Sequence, residues 1–355
     1  MATSFGQRLK AARVMAGLSM DALVAKMGRR VSKQAISKYE NDLMSPDSEI
    51  LIALSEALAI KTDYFFSEYD MAVAEINFRK KASLGKKDLD SISARVKDGI
   101  ERYVELETLL PGAARSPDAI PGGIVASLVD IESFALELRD RWKVGRESPV
   151  ASVVDLLEEH GVKVLELSAP EGFVGLSGRA GGAPIIVLNK ESPTDRKRLT
   201  ALHEFAHLRL SFDPALSDSE REKLCTSFGG AFLLPRPVLF KELGSKRSDI
   251  SFFELRTLKR QYGISMQAIM YRARQHGIVS DYAYEAFNRA VSAKGWKKNE
   301  PGEFPIEEHP RRFDQLLHRA ISEELITMSK AAYLANKSIE EIRQERLLRD
   351  APAHP

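Results

Sequence analysis

The chain has 355 residues, which is enough for two or three domains that each bury a core. Hydrophobic residues make up 44% of the sequence and charged residues 29%, the proportions of an ordinary soluble globular protein. Because 52 basic residues nearly balance 50 acidic ones, the net charge of +2 excludes a bulk attraction to nucleic acid, and any DNA contact must come from a local patch.

The single cysteine, Cys225, excludes a disulfide within the chain and favours a reducing compartment. The favoured role for this thiol is that of a small buried hydrophobic side chain, ahead of a reactive group or a ligand. The first residues lack the apolar core of a signal peptide, and no run reaches the roughly 18 apolar residues of a membrane span. We therefore expect a cytoplasmic protein with no membrane partner.

The first part of the chain, 5–66, has the pattern of short helices. Residues 17–19 combine a helix break with a serine that can cap the next helix, and Gly28 is a natural helix end. Ser32 is then placed to cap a third helix over 33–41. Two short helices joined by a tight break are typical of a helix-turn-helix, in which the second helix enters the major groove of DNA.

The polar side of this third helix is the predicted DNA contact. Gln34 can read adenine, and a lysine can contact guanine or a phosphate. The alternative is a helical protein-interaction domain with an ordinary solvated face. The predicted contacts are Lys33, Gln34, Ser37 and Lys38.

Four motifs in this region resemble the Xre-type repressor DNA-binding domain. They are Arg8-Leu9-Lys10, Gly17-Leu18-Ser19, Ala35-Ile36-Ser37-Lys38-Tyr39-Glu40-Asn41 and Ser45-Pro46. The resemblance implies an operator DNA as partner, and a homodimer is an expectation because such domains commonly bind two-fold operators as dimers. Two residues depart from the pattern: Met20 stands where a phosphate-contacting Gln is common, and Asp42 where Gly is common.

The stretch over 71–112 is charged and periodic, and it predicts a long connecting helix. Its basic triplet, 79–81, is a candidate for phosphate contacts, although a solvated helix face is the favoured interpretation. Prolines and glycines at 111–112 and 121–123 mark a loop, which is the best candidate for a domain boundary.

After this loop the pattern changes from helices to strands. Helices are predicted over 124–142 and 150–160, followed by short strands over 162–167, 173–177 and 185–188. Strands at this position indicate an α+β core. An edge strand of that core could hold a peptide by β-augmentation, but the sequence does not tell which strand lies at the edge.

The segment after the strands contains the motif H-E-x-x-H. In a helix, His203 and His207 stand at i and i+4 on one face, so that their ring nitrogens can converge on one metal ion. Glu204 then projects beside them, where a general base for a metal-bound water is needed. Ser192 is the expected N-cap, with Pro193 in the first turn. Apolar residues at helical spacing place both histidines on the buried side; a pair of hydrogen-bonded core histidines is the alternative.

A catalytic zinc site needs a third protein ligand. Glu220 is expected to cap the start of its own helix. Glu222 instead shares a helix face with Cys225, Thr226 and Gly229, small residues that allow close approach to the histidine helix. We predict Glu222 as the third ligand, against the alternative of a solvated first-turn glutamate.

Three segments of this region resemble the ImmA/IrrE family of metallopeptidases. The resemblance rests on Gly182 to Asn189, Arg196 to His207 and Glu222 to Pro235. It implies that His203, His207 and Glu222 bind Zn²⁺ and that Glu204 is the base. One departure is visible, since Thr226 stands where the family most often has Asn.

The family resemblance also implies a function. It implies a narrow protein substrate, typically a transcriptional repressor, and control of stress or mobile-element genes. We therefore expect a zinc metallo-endopeptidase fused to a DNA-binding domain. The alternatives are a transcription regulator whose peptidase-like half is a non-catalytic sensing or interaction module, and an antitoxin-like component that binds a partner protein.

The remaining residues are predicted to be mainly helical. Helices over 250–262 and 265–276 are placed in the peptidase by the family resemblance. On the second of them, Tyr271, Arg272 and His276 are candidate donors to a developing oxyanion, though each is more often structural. A loop is predicted over 296–312 and a terminal helix over 329–348.

The predicted fold class is α+β and mostly helical. An N-terminal all-α helix-turn-helix domain, 1–70, is followed by a helical linker and loop, 71–122. A zincin-like metallopeptidase domain with a small sheet occupies 123–295, and a C-terminal helical region occupies 296–355.

Overall fold

The structure, a computed structural model, describes residues 4–66, 84–117 and 123–347. These residues form sixteen α-helices, one 3₁₀ helix and two small sheets, which confirms the predicted mostly helical α+β class. None of the described helices combines the length and apolar character needed to span a membrane. The basic triplet at 79–81 lies outside the described residues.

The N-terminal helices are α1 (Phe5–Met15), α2 (Met20–Lys26), α3 (Lys33–Glu40) and α4 (Ser48–Leu58), followed by a 3₁₀ helix at Thr62–Phe66. The predicted caps at Ser19 and Ser32 are confirmed, because each side chain accepts a backbone N–H of the following turn. The helix-turn-helix is therefore formed by α2 and α3. Their apolar sides meet α1 in a core that includes Leu9, Leu23 and Ile36.

Asp42 follows α3 in the left-handed backbone region, with a φ of 57°. This conformation explains why Gly is common here in Xre-type domains, since few other residues adopt it without strain. The Asp42 carboxylate accepts hydrogen bonds from the backbone of Gly6, at 2.7 Å, and from the Ser4 hydroxyl. Because the N-terminus of α1 favours a negative charge, this contact offsets the strain.

The connecting helix predicted within 71–112 is present as α5 (Lys86–Leu109), and residues 71–83 of that prediction lie outside the described residues. It lies between two parts of the molecule. Towards the N-terminal domain, its Glu101 Oε2 lies 2.8 Å from Nη1 of Arg8 in a buried ion pair. Towards the sheet, it presents Ile92, Val96 and Ile100 to an apolar cluster. Helix α5 therefore contacts both halves of the chain.

The main sheet has the strand order β2 (Lys163–Leu167), β4 (Ala183–Asn189) and β3 (Gly175–Ala180). Strand β2 is parallel to β4, and β3 is antiparallel to it. Along β4, Ile185 and Val187 pack against α5, whereas Ile186 and Leu188 belong to the core on the other face. Burial on both faces explains the continuous apolar run in this strand. All three predicted strands are confirmed.

The predicted helix over 124–142 is too long. Residues Ile124–Val125 form β1, which pairs in parallel with β5 (Ser211–Phe212). The helix begins only at Leu128, because Ser127 and Asp130 form a capping box that defines its first turn.

Eight helices complete this part of the chain around the sheet. Two of them, α8 and α9, are the most closely packed pair and carry the H-E-x-x-H segment and Glu222. The helices are α6 (Leu128–Arg141), α7 (Val153–Glu159), α8 (Thr194–Arg209), α9 (Asp218–Leu233), α10 (Arg236–Leu243), α11 (Phe252–Tyr262), α12 (Met266–Gln275) and α13 (Asp281–Ala293).

Helix α8 lies between the sheet and α9, and it buries residues on several sides. Its Arg198 is fully buried and donates hydrogen bonds to the backbone carbonyls of Val150, Ala151 and Gly263. It also forms an ion pair with Glu308, from the predicted loop after α13. Residues 296–311 contain no helix or strand, which confirms that loop.

The single terminal helix predicted over 329–348 is wrong. The structure has α14 (Arg312–Ser322), α15 (Met328–Ala335) and α16 (Ile339–Arg346). Asn336 adopts a left-handed conformation, with a φ of 53°, and ends α15. Ser338 and Glu341 then form a capping box that starts α16. These helices share an apolar cluster with α5 and the N-terminal domain. The domain boundaries stay a prediction.

Candidate metal centre

The start of α8 differs from the sequence prediction. Pro193, rather than Ser192, occupies the N-cap position, and the helix begins at Thr194. The reason is the backbone of Pro193, whose ψ of 149° lies outside the helical region. The shift does not move the histidines off the helix.

Glycines allow the elements around α8 to approach it closely. A Cβ at Gly229 of α9 would lie 2.9 Å from the Cδ1 atom of Leu199 and 3.2 Å from its backbone oxygen, so a larger residue here would require a shift between α8 and α9. A Cβ at Gly175 of β3 would lie 2.6 Å from Cγ2 of Thr200. The predicted close approach of α9 to the histidine helix is therefore confirmed.

This packing brings the three predicted ligands together. The Nε2 atoms of His203 and His207 are 3.0 Å apart. Each lies 3.3 Å from a carboxylate oxygen of Glu222. Among the His, Cys, Asp and Glu side chains of the described residues, these three have ligand atoms that converge closely enough to hold a metal ion.

The donor set has the composition of a catalytic metal site. Two imidazoles and one carboxylate are the ligands that zinc takes in metallopeptidases, with a further position left for water. The side chain of His207 is 5% exposed, whereas that of Glu222 is 46% exposed. The site is thus buried on the α8 side and open to solvent at Glu222, where water or a substrate can enter.

Thr226 orients the first histidine. Its hydroxyl donates to the backbone carbonyl of Glu222 at 3.0 Å, so its oxygen is left to accept from Nδ1–H of His203, 3.1 Å away. With the proton on Nδ1, the Nε2 lone pair points towards the other ligands. The sequence showed Thr226 only as a departure from the Asn of the ImmA/IrrE pattern; its contact depends on how α8 and α9 pack.

Cys225 is placed beside the second histidine. Its Sγ atom lies 3.1 Å from Nδ1 of His207. The thiol is fully buried, as its predicted hydrophobic role requires, but it also touches a predicted ligand. A proton donated from Nδ1 to this sulfur would leave the Nε2 lone pair of His207 free in the same way.

We expect Thr226→Val to weaken zinc binding by about 10–100-fold, the usual effect of losing a group that orients a ligand. Valine keeps the shape of threonine but cannot accept the His203 proton. The measurement is competition for zinc with a chromophoric chelator. Thr226→Asn, the residue of the family pattern, is the matched control and should retain near-normal affinity. Equal affinities for all three proteins would show that the hydroxyl does not orient His203.

Glu204, the predicted base, is buried on α8 and lies next to the sheet. Its Oε2 atom accepts a hydrogen bond of 2.8 Å from the hydroxyl of Ser177 on β3. The sequence did not identify Ser177, because the residues are 27 positions apart and belong to different elements. The contact fixes the orientation of the Glu204 carboxylate.

The three candidate oxyanion donors, on α12 and at its C-cap, have other partners. Arg272 and His276 both lie 2.9 Å from Oε1 of buried Glu132. Burial alone would raise the pKa of Glu132, but the His276 hydrogen bond and the Arg272 charge outweigh it, and the pKa is lowered. Tyr271 packs against the ring of Tyr284. These contacts support structural roles for all three residues.

The predicted DNA contacts all lie on α3. Lys33, Gln34 and Lys38 are exposed, whereas Ser37 is half-buried. Lys33 Nζ lies 2.7 Å from the carboxylate of Asp21 on α2, so part of its charge is already neutralised. Gln34 and Lys38 therefore remain the better placed of the four for contacts outside the domain.

Two further basic residues belong to this surface. Arg29 and Arg30 are exposed in the turn between α2 and α3. Their position beside the second helix of a helix-turn-helix suits phosphate contacts, which need only a cation near the backbone of DNA. We did not predict them because turn residues lack the periodicity by which helix faces are recognised.

Two segments of the chain match protein-family models. Residues 157–274 match Peptidase_M78, the IrrE N-terminal-like domain, and residues 9–65 match HTH_3, a helix-turn-helix. The chain is also 26% identical over 107 residues to the HTH-type transcriptional regulator ImmR of Bacillus subtilis (strain 168). That alignment covers 30% of this chain and 73% of ImmR.

Proposed function

Because the chain joins a DNA-binding helix-turn-helix domain to an IrrE-like peptidase-family domain, we propose that it is a zinc-dependent endopeptidase held near its target by DNA. Its substrate is a repressor or another regulatory protein, and cleavage controls stress or mobile-element genes. The observation that carries the proposal is the convergence of His203, His207 and Glu222 beside buried Glu204.

The residues of the site fit zinc chemistry. When bound, zinc supplies a Lewis acid that activates water and polarises the scissile carbonyl. His203, His207 and Glu222 would hold it, and the partners at both Nδ1 atoms favour the tautomers that ligation requires. The two imidazoles are only 15% and 5% exposed, so the protein shields most of that side of the site from bulk solvent.

Glu204 would act as general base and then as general acid. With Oε2 held by Ser177, the carboxylate keeps Oε1 to take a proton from the attacking water. The same carboxyl group then delivers that proton to the nitrogen of the leaving amine. Its position on α8, one residue from His203, keeps it beside the ligands throughout this transfer.

Strand β3 is the natural place for the substrate. It lies at the edge of the main sheet, no described strand pairs with its outer side, and its Ser177 contacts the proposed base. An extended peptide that added to this edge would form backbone hydrogen bonds and pass close to Glu204. The edge strand that sequence analysis left open is therefore assigned to β3 in this proposal.

The DNA-binding domain would raise the rate of cleavage without taking part in it. A DNA-bound repressor near the same operator meets the peptidase at a high effective concentration. This arrangement suits a peptidase with few substrates. An operator DNA, a protein substrate and a second copy of the chain are the proposed partners.

We expect the purified protein to bind about one zinc ion per chain, since one three-ligand site is present in the described residues. His203→Ala and Glu222→Gln should lose most of this zinc, as measured by plasma mass spectrometry after dialysis. Glu220→Gln is the matched control, because Glu220 caps α9 two residues from Glu222 and faces Ser217. Zinc retained equally by all variants would remove the metal site from the proposal.

We expect α3 to bind DNA through Gln34 and Lys38. The operator is first selected from random DNA by the wild-type protein. On this operator, Gln34→Ala should weaken the free energy of DNA binding by about 1–3 kcal/mol and reduce the discrimination between bases at one position. Lys38→Gln should weaken binding to all DNA sequences alike. It should also reduce the number of counterions released on binding, as read from the salt dependence of the affinity, by about one. Fluorescence anisotropy measures both. Arg289→Gln, at an exposed position of α13, removes an equal charge and should leave DNA binding unchanged. Equal effects of the three substitutions would contradict the assignment.

A second candidate function is a transcription regulator whose peptidase-like half senses or binds a partner without turnover. The similarity to a transcriptional regulator, ImmR, favours it. It predicts operator binding and zinc binding but no cleaved protein in cells. The presence of all three ligands and the base favours the enzyme, because a non-catalytic module has no need of Glu204.

A further inference from the structure

A cavity of about 300 Å³ lies where the N-terminal domain meets the rest of the chain. Its walls come from the ends of α1 and α4 with the 3₁₀ helix, from α5, from the end of β2 and from α15. It is separate from the metal centre, since α5 covers the face of the sheet opposite α8. Pockets of this size at domain junctions are common sites for small ligands.

The walls of the cavity combine apolar and cationic groups. One part is apolar, with Met15, Leu58, Ile60 and Leu167. The cations are Lys61, Arg95 and Arg102, and the carboxylate among the lining residues is Asp98. The lining therefore carries a net charge of about +2, which favours an anionic ligand.

The positive charge is only partly compensated within the protein. Nη2 of Arg102 lies 2.6 Å from Asp98, and its Nη1 donates to the carbonyl of Leu334. The Nε atom of Arg102 is buried and has no hydrogen-bond partner. Arg95 contacts the carbonyl of Ser168 and no carboxylate among the described residues. Burial lowers the pKa of Arg95, as expected for a desolvated cation without an anionic partner.

We propose that this cavity binds a small organic anion, with a carboxylate or phosphate group against Arg95, Arg102 and Lys61 and an apolar body against Leu58 and Leu167. The anion would supply an acceptor for the buried Nε atom of Arg102 and a counter-charge for the half-buried Arg95 and Lys61. The apolar body would displace water from the remaining wall.

The location of this site gives the ligand a regulatory effect. The bound anion contacts the N-terminal domain, α5 and α15 at once, so it stabilises the arrangement in which these parts are packed together. Occupancy would thereby bias the position of the helix-turn-helix relative to the peptidase half. This inference does not depend on zinc or on cleavage.

Isothermal titration calorimetry of the full chain with three small ligands of similar shape tests the proposal. Benzoate and phenyl phosphate carry the two anionic groups on the same apolar ring, and benzamide is the neutral match of benzoate. We expect at least one anion to bind with a Kd of about 1 mM or tighter, the range for ligands of this size. Benzamide should bind at least tenfold more weakly. The stronger of the two anions identifies the preferred head group.

Variants locate the binding. Arg95→Gln and, separately, Lys61→Gln should weaken binding of the anion at least tenfold. Lys61 is half-buried and its charge acts on the exposed carboxylate of Glu341, so its replacement should leave the fold intact. Lys86→Gln, exposed on the same helix as Arg95, and His203→Ala should bind as the wild type does. The proposal is overturned if neither anion binds, if benzamide binds equally well, or if Lys61→Gln and Arg95→Gln leave the Kd unchanged.

Discussion

Glu204→Gln is expected to abolish cleavage while zinc content and fold stay unchanged. Glutamine can still accept the Ser177 hydrogen bond, but it cannot take a proton from water, so the step that generates the nucleophile is lost. Loss of a positioned acid-base group costs about 10²–10⁴-fold in rate. The effect should appear in kcat rather than KM, because the carboxylate acts in the transition state.

The measurement has two stages because the substrate must first be found. Cells that express the wild type or Glu204→Gln are compared by mass spectrometry of protein N-termini, and new termini confined to the wild type identify the cleaved protein. The purified substrate is then digested by both enzymes. Glu220→Gln is the control with the same chemical change outside the site, and it should cleave normally. Equal rates for Glu204→Gln and the wild type would exclude Glu204 as the base.

Glu308→Gln is expected to lower the free energy of unfolding of the peptidase half by about 3–5 kcal/mol. Arg198 and Glu308 are both fully buried, and removal of the negative charge leaves the guanidinium without its ion-pair partner in a region that water does not reach. Glu308 also accepts the backbone N–H groups of Val153 and Val154 at the start of α7. Its loss therefore disturbs a helix terminus as well as an ion pair.

Tryptophan fluorescence during urea unfolding can follow this effect. Both tryptophans of the chain, Trp142 and Trp296, belong to this half of the molecule. The control is Glu147→Gln, which breaks the exposed ion pair with Lys241 and should not shift the midpoint measurably. A Glu308→Gln midpoint equal to that of the control would show that Arg198 is stabilised by its backbone carbonyls alone.

The sequence by itself determined the features that depend on near neighbours in the chain. The i, i+4 spacing of His203 and His207 places their rings side by side in any helix, and the capping serines at positions 19 and 32 define their helices locally. The strand over 185–188 was recognisable because burial on both faces leaves a continuous apolar run. The two halves of the chain were identified from motifs of this local kind.

Features that join distant segments needed the tertiary structure. Glu222 was predicted as a ligand, but only the packing of α9 on α8 places its carboxylate 3.3 Å from both imidazoles. The break at Asn336 was missed because a left-handed residue inside an otherwise helical pattern gives a weak sequence signal.

The same reason explains the contacts that sequence analysis did not find. Thr226 at His203 and Ser177 at Glu204 join residues 23 and 27 positions apart, on elements whose relative placement no local pattern encodes. Glu308 reaches Arg198 across 110 positions from a loop without periodicity. Helical period and capping act over a few residues, whereas the distance between two side chains on different elements is set by how the whole core packs.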